Sequence, residues 1–361
     1  MPDNKPIRIN NNCVHFRGDI PCLPHKKHGV HCDNCSYFQP FNERILIIKL
    51  GAAGDVIRTT PILRRLRREF PQAEITWLTH TPLFVPAEYV QNILTWTWEN
   101  ILWLQNREFD LLINLDKDKE ALALAKSIPA KIKKGYLPDE FGKCSPADAD
   151  SVHKWQTGLW DDFCQRNRKS YPQEIFEMLG YKFQGEKYLL DLPEIRQKFA
   201  LPTDKKIIGL NTGCGTRWLT RLWGENNWID LSNQLHEAGY LPLLLGGAVE
   251  DKMNLEIAAS SHAVYLGHFD LPIFLNLVNC CDLVVTSVTM AMHIAIAFEK
   301  KLILLNNIFN RYEFDLYGLG KILEPAAKNC LGCYKNSCEE KCMSTIPVDL
   351  VLQTIRELLP A

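Results

Sequence analysis

The chain has 361 residues, 46% of them apolar, which exceeds what one hydrophobic core ordinarily organises and predicts two domains. Its 41 Lys and Arg nearly balance 42 Asp and Glu, with no block of like charge. A nucleic-acid groove and a polybasic membrane anchor are therefore excluded, and any phosphate recognition is local. The opening MPDNKPIRINNNC lacks the apolar centre of a signal peptide, and no run reaches the roughly 20 apolar residues a spanning helix needs. The longest, from Val284 to Phe298, is interrupted by Thr, Ser and His. These features point to a cytoplasmic protein, in which the 13 cysteines stay reduced and are better explained by metal than by disulfides.

Residues 1–43 are rich in Cys, His, Asn and Pro without apolar periodicity, and read as an appendage that needs a cross-link to hold its shape. From Arg44 the texture changes. ILIIKL (45–50) suits a buried parallel strand, followed by the turn GAAGD and the helical pattern VIRTTPILRRLRREF. EITWLTH (74–80) and FDLLINLD (109–116) continue as strands, with KEALALAKSI (119–128) as a helix, giving the alternation of a doubly wound sheet over 44–195. After a charged segment with two prolines (190–206) the pattern restarts with KIIGLNTG (206–213), LPLLLGG (241–247), CDLVVTS (281–287) and KLILLNN (301–307). This predicts a second open sheet over 196–345. Apolar residues at helical spacing in VDLVLQTIRELL (348–359) predict a final helix within 346–361 that packs back onto the body. The expected class is α/β, with two doubly wound domains facing across a cleft.

Four motifs fall at the C-terminal ends of these strands, where such sheets bind ligands. In the first, 49–61, Asp55 opens a helix after a Gly-rich turn, as a base or as an N-cap. In the second, 211–223, the small residues Thr212, Gly213 and Thr216 let backbone N–H groups approach a phosphate, while Arg217 and Arg221 match a diphosphate. In the third, Gly246 and Gly247 end a strand and Glu250 follows, placed to accept hydrogen bonds from a ribose. In the fourth, Thr289 and Met290 start a helix whose first N–H groups suit a phosphate, and His293 lies one turn on.

Taken in this order, the motifs resemble glycosyltransferase family 9, the ADP-heptose heptosyltransferases, from about Ile45 to the C-terminus. The resemblance implies the GT-B architecture of two Rossmann-like domains: 44–195 for the acceptor, 196–345 for the nucleotide-sugar donor. It implies that Asp55 is the base that deprotonates the acceptor hydroxyl. It also implies that Arg221, where many members carry Lys, contacts the diphosphate, that Glu250 binds the ribose, and that Thr289, Met290 and His293 form the phosphate-holding helix start. One departure is Val288, where the family usually carries Asp near the donor sugar; Ser287 and Asn306 are neighbours that could compensate. The segment Asn310 to Gly318 resembles a stretch that lines the cleft in relatives.

The implied function is inverting transfer of a sugar, heptose by the resemblance, from an ADP-activated donor to a glycan, lipid-linked glycan or protein hydroxyl, with no catalytic metal. The alternative is a silent nucleotide-binding or assembly protein that retains the fold. Neither an integral membrane segment nor a nucleic-acid partner is expected; a homo-oligomer and a place at the inner face of the membrane are compatible with the sequence. Two cysteine quartets flank the domains: Cys13, Cys22, Cys32 and Cys35, with His25, His28 or His31 as substitutes, and Cys330, Cys333, Cys338 and Cys342 in C-x2-C-x4-C-x3-C spacing. Both suit a structural Zn or Fe. Cys144, Cys164, Cys214, Cys280 and Cys281 read instead as buried structural thiols.

Overall fold

The computed structural model describes residues 8–326 and 331–360. It divides into two compact units, residues 1–50 with 63–149, and residues 51–62 with 150–361.

The first unit carries a six-stranded sheet of β1 (Arg44–Ile48), β2 (Glu74–Leu78), β3 (Asn92–Leu94), β4 (Phe109–Asn114), β5 (Ala130–Pro138) and β6 (Cys144–Pro146). The order is β3-β2-β1-β4-β5-β6, parallel except for the antiparallel β5–β6 pair. This is the doubly wound arrangement that the strand and helix alternation predicts. β1 is apolar and almost wholly buried, as a central parallel strand covered on both faces must be. Sequence periodicity finds β1, β2 and β4 but passes over β3, which is only three residues long, and β5, whose AKIKKGYLP mixes lysines into the run.

The helical pattern 56–70 is not one helix. It breaks into Ala53–Thr59 and Pro61–Glu69, because Pro61 has no N–H to give, while Thr60 between them keeps helical backbone (φ −57°, ψ −26°). The N-terminal segment closes on itself through an antiparallel bridge between Cys13 and Pro40, flanked by bonds from Val14 N to Gln39 O (2.9 Å) and Phe41 N to Asn12 O (2.8 Å). A single helical turn and a half, Leu23–His28, stops at Gly29, whose φ of +66° suits glycine.

The second unit holds a five-stranded, all-parallel sheet of β7 (Ile207–Asn211), β8 (Leu241–Leu245), β9 (Leu283–Ser287), β10 (Lys301–Leu305) and β11 (Gly320–Leu323). Its order is β11-β10-β9-β7-β8, so successive connections leave in opposite directions from the β7/β9 boundary. That boundary is the switch point at which open α/β sheets bind ligands, beyond the carboxyl ends of the strands. Every residue of β7, β8 and β9 is buried.

Trp223 and Trp228 belong to this core, edge to face with ring centroids 4.7 Å apart, and the Trp223 indole donates to Ile346 O at 2.9 Å. The final helix, Val348–Leu358, buries Val351, Leu352 and Ile355 in the same cluster, and Tyr240 Oη donates to Leu359 O at 2.7 Å. Its predicted return to the body is therefore what the structure shows. Among the cysteines read as buried thiols, Cys281 and Cys214 are buried, Cys144 and Cys164 are half-buried, and Cys280 is exposed. Cys280 is the last helical residue before β9 and faces out, while Cys281 turns in against Gly209, where a Cβ would meet its sulfur at 2.7 Å.

Ile355 is fully buried, so Ile355→Ala should cost about 2–5 kcal/mol through lost burial and a residual cavity. Gln353→Ala on the exposed side of the same helix should stay within about 0.5 kcal/mol. Urea unfolding midpoints of the two variants check both.

Candidate active site

A cavity of about 620 Å³ opens at the switch point of the second sheet, and all of its lining residues belong to the second unit. The loops after β7 and β9 form two of its walls, the turn after β8 a third, and the helix Ala53–Thr59 a fourth. That helix packs against the helix Met290–Ala297. The close approach depends on Gly54, where a Cβ would meet His293 Cδ2 at 2.6 Å.

Asp55 lines this cavity from the first turn of its helix. It is not the N-cap: that position is Ala52, which offers no side-chain bond. Its Oδ1 instead accepts from Arg58 Nη2 at 2.8 Å. Lys49, at the head of the same motif, is buried in the first unit with its ammonium on the Asp116 carboxylate. Asp116 also accepts from the Leu50 N–H, so Lys49 pins the strand end from which the motif begins.

The loop after β7 is held by Asn211, whose amide donates to Gly213 O (3.2 Å), Thr286 Oγ1 (3.1 Å) and Thr289 Oγ1 (3.3 Å). This ties the second and fourth motifs together across the switch point. Gly213 lines the cavity. Thr212 does not: it is buried and donates to Asn254 Oδ1 at 2.5 Å. Thr216 is exposed on the loop, outside the lining.

The two arginines differ. Arg217 lines the cavity as an exposed residue, with Cζ 5.5 Å from the Trp218 ring centroid. Arg221 is half-buried, and its guanidinium donates to the carbonyls of Trp218, Cys214 and Val288. Among the described residues it has no carboxylate partner, and burial pulls its pKa below the usual arginine range.

Glu250 sits where its motif predicts, lining the cavity, with Oε2 accepting from Gly247 N at 3.0 Å. Gly213 and Gly246 make room for it: a Cβ on Gly213 would lie 2.2 Å from Glu250 Oε1, and one on Gly246 2.9 Å from Glu250 Cβ. The Gly pair of the third motif is thus a packing requirement as well as a strand end.

Thr289 is the N-cap residue of the helix Met290–Ala297, in extended backbone and without a side-chain cap bond. Its hydroxyl lies 3.0 Å from that of Thr286, and Thr289, Met290 and Ala291 line the cavity at the start of the helix. His293 is buried, and its Nδ1 has no hydrogen-bond partner among the described residues. Burial, together with the Arg58 charge, pushes its pKa down to about 3.

Val288 lines the cavity. Neither neighbour weighed as a substitute for the missing carboxylate reaches it: Ser287 is buried without a side-chain partner, and the Asn306 amide is spent on Phe309 O and Glu324 Oε1, both at 2.9 Å. Phe309, Glu313 and Phe314 line the wall from the segment after β10.

Sequence reasoning missed Arg58, although its spacing of three from Asp55 is the helical signal for an ion pair. Trp218, Phe274 and Phe309 also line the cavity; Trp218 falls within the second motif without a role assigned to it, and Phe274 and Phe309 fall in none of the four.

Among the described residues no three His, Cys, Asp or Glu side chains are grouped to hold a metal ion. Cys330 lies outside the described residues. Cys13, Cys22, Cys32 and Cys35 line one small cavity of about 30 Å³ together with His31, and none is in a disulfide. His25 Nδ1 instead bonds Val30 O at 3.0 Å, and His28 stacks on Tyr37. At the other end Asn307 Nδ2 donates to Cys342 Sγ at 3.5 Å, and Cys338 is exposed. No helix among the described residues is long and apolar enough to cross a membrane.

Because His293 is neutral in the fold and protonates near pH 6.5 when unfolded, its contribution to stability is intact above about pH 6.5. It is lost as pH falls towards 3, with a slope of up to about 1.4 kcal/mol per pH unit. Its ring resonances should not titrate between pH 5 and 8 by NMR, and His293→Gln should flatten the acid limb of the stability curve.

Residues 101–343 match the model of glycosyltransferase family 9 (heptosyltransferase). Lipopolysaccharide heptosyltransferase 1 of Pseudomonas aeruginosa is 25% identical over 321 residues, covering 82% of this chain and 87% of that protein. Among solved structures, a glycosyltransferase of family 9 from Veillonella parvula superposes with a TM-score of 0.69 at 20% identity, covering 89% of this chain and 98% of its own. The ADP-heptose lipopolysaccharide heptosyltransferase II of E. coli gives 0.62 at 18% identity, covering 88% and 98%. The fold is thus the GT-B fold that the motif order implies, and the chain belongs to glycosyltransferase family 9 and is a glycosyltransferase enzyme.

Proposed function

We propose that the enzyme transfers a heptose from an ADP-activated donor to a hydroxyl of a lipopolysaccharide core glycan, with inversion, at the inner, cytoplasmic face of the membrane. One observation carries this reading: Asp55, Arg217, Arg221, Glu250 and the start of the helix Met290–Ala297 all line a single cavity. Its volume is of the size that holds small-molecule substrates.

The roles follow from the groups. Asp55 is the acidic group on the helix Ala53–Thr59 that meets the cavity, and takes the proton as the acceptor oxygen bonds the anomeric carbon. The bond from that carbon to the diphosphate breaks in the same step, and the diphosphate leaves with the electron pair. Arg221, whose charge no carboxylate cancels among the described residues, together with Arg217 and the N–H groups of Met290 and Ala291, meets the developing charge. Glu250, fixed by the Gly247 N–H, accepts from the ribose hydroxyls. His293 stays neutral, and so adds no charge that would compete with the arginines for the diphosphate.

The heptosyltransferases among its relatives support the donor and the glycan acceptor. Val288 removes a charge from the sugar end of the cavity and makes donor choice the part of the reading most in need of test. We also propose a structural Zn or Fe on the cysteine segments. The N-terminal thiols that share a cavity and the C-x2-C-x4-C-x3-C spacing at the other end support it. Elemental analysis of the purified chain, repeated on Cys32→Ser and Cys333→Ser, tests each segment separately.

In calorimetric titration ADP-heptose should bind more tightly than UDP- or GDP-linked sugars, and a preference for either of the latter overturns the donor assignment. Asp55→Ala should lower kcat at least about 100-fold with the Kd for ADP-heptose nearly unchanged; full activity in that variant would end its role as base. Arg221→Gln should weaken binding of ADP itself, because a charge-assisted contact to the diphosphate is lost.

A further inference from the structure

The cavity holds a third carboxylate, Glu313, and a third arginine, Arg58, to which the reading of the motifs gave no role. Arg58 Nη2 holds Asp55 Oδ1 at 2.8 Å, and Arg58 Nη1 holds Glu313 Oε1 at 2.6 Å. The Tyr171 ring lies under the guanidinium, 3.7 Å from Cζ to centroid. Side-chain exposures of 13% for Arg58 and 19% for Glu313 put this pair in a setting where salt screens little and charge interactions outweigh those of a surface bridge.

Glu313 is placed independently of Asp55. It ends the turn Arg311–Glu313, whose cap Asn310 accepts from Tyr312 N at 3.2 Å and donates to Cys164 O at 2.7 Å and Asn167 O at 2.8 Å. An anchored carboxylate thus fixes the arginine, and the arginine fixes the oxygen of Asp55.

We propose that Arg58 and Glu313 form a positioning pair that aims the Asp55 carboxylate and sets its basicity. The inference rests on the reading of Asp55 as the base. A lone arginine on Asp55 would stabilise the carboxylate so strongly that it would be a poor proton acceptor. Glu313 engages the other terminal nitrogen and offsets part of the guanidinium's charge, so Asp55 keeps both a fixed direction and an affinity for a proton.

Burial opposes the charge of Arg58, yet Asp55 and Glu313 outweigh it and hold its pKa above the ordinary value, so it is cationic throughout. The other groups around the cluster are Tyr171 and Glu174, Lys154, Tyr188 and His293, with Cys164 and Tyr334 beside Glu313. Burial raises Tyr188, Cys164 and Tyr334 and lowers His293, while Glu174 keeps the buried Lys154 protonated. None of these five changes charge near neutral pH.

The test is titration of the Asp55 carboxyl in the full-length protein by 13C NMR of carboxyl-labelled aspartate, assigned by the resonance that Asp55→Asn removes. Arg58→Gln takes away a cation and should raise the Asp55 pKa by about 1 to 3 pH units. Glu313→Gln takes away an anion and should lower it, and the double variant should return towards the wild-type value. Opposite shifts from two neighbours are not what a purely structural role would produce. Should Arg58→Gln fail to fold, Glu313→Gln with Arg58→Lys, which keeps the charge but not the two-ended grip, carries the comparison.

In a transfer assay with ADP-heptose and heptose-free lipopolysaccharide core, Glu313→Gln should lower kcat about tenfold and leave the donor KM unchanged. An Asp55 titration at the wild-type pH in both Arg58→Gln and Glu313→Gln overturns the pair. Shifts that occur while Asp55→Asn still transfers sugar would overturn the base assignment instead and leave the electrostatic pair standing.

Discussion

The site depends on the reversal of strand order between β7 and β9. Parallel strands send their connections off one end of the sheet with a fixed hand, so where the order reverses, two neighbouring loops must part. The loops that part here are 212–218 and 288–289, and Asn211 bridges them from the last position of β7 to Thr286 and Thr289. That one side chain keeps the two walls in register while the backbone between them opens, and the rest of the cavity is arranged around the gap.

Around the gap the charges are sorted by how they are paired. Three carboxylates and three arginines line it: Asp55, Glu250 and Glu313 with Arg58, Arg217 and Arg221. Arg58 is neutralised twice over, whereas Arg221 meets only backbone carbonyls. A carbonyl dipole steadies a guanidinium without cancelling its charge, so the net positive end of the cavity lies at Arg221 and Arg217 and the net negative end at Asp55 and Glu313. An anionic leaving group and a proton acceptor want that separation. His293, between the two, is kept neutral by its burial.

What was legible in the sequence follows from which signals are local. Strands such as ILII and LVVT are buried on both faces and announce themselves by composition. Gly54, read as part of a turn, lies in the helix Ala53–Thr59, Gly213 was read as opening the backbone to a phosphate and Gly246 as ending a strand; the three admit His293 and Glu250 against backbone, which no local pattern shows. Pro61 splits a helix that apolar spacing alone would have continued. β5 was hidden by its lysines and β3 by its length. The tryptophans at 223 and 228 belong to the core, which their spacing alone does not show. Glu313 lies 255 residues from its partner, a separation across which sequence carries no pairing signal without homologues.

Val288 gains its meaning from the same charge sorting. The position contributes its carbonyl to Arg221 and lines the cavity wall, so an Asp there would place a carboxylate beside an arginine that has no carboxylate partner among the described residues. Valine keeps the backbone contact, which any residue supplies, and drops the charge. Under the proposed function the consequence runs in two directions: Arg221 would keep its full attraction for a diphosphate, and the donor sugar would lose a strong hydrogen-bond acceptor. A site altered in this way relies more on the nucleotide for affinity and less on individual sugar hydroxyls for discrimination. In the proposed reading Val288 therefore bears on which sugar is carried, and much less on whether the nucleotide is held.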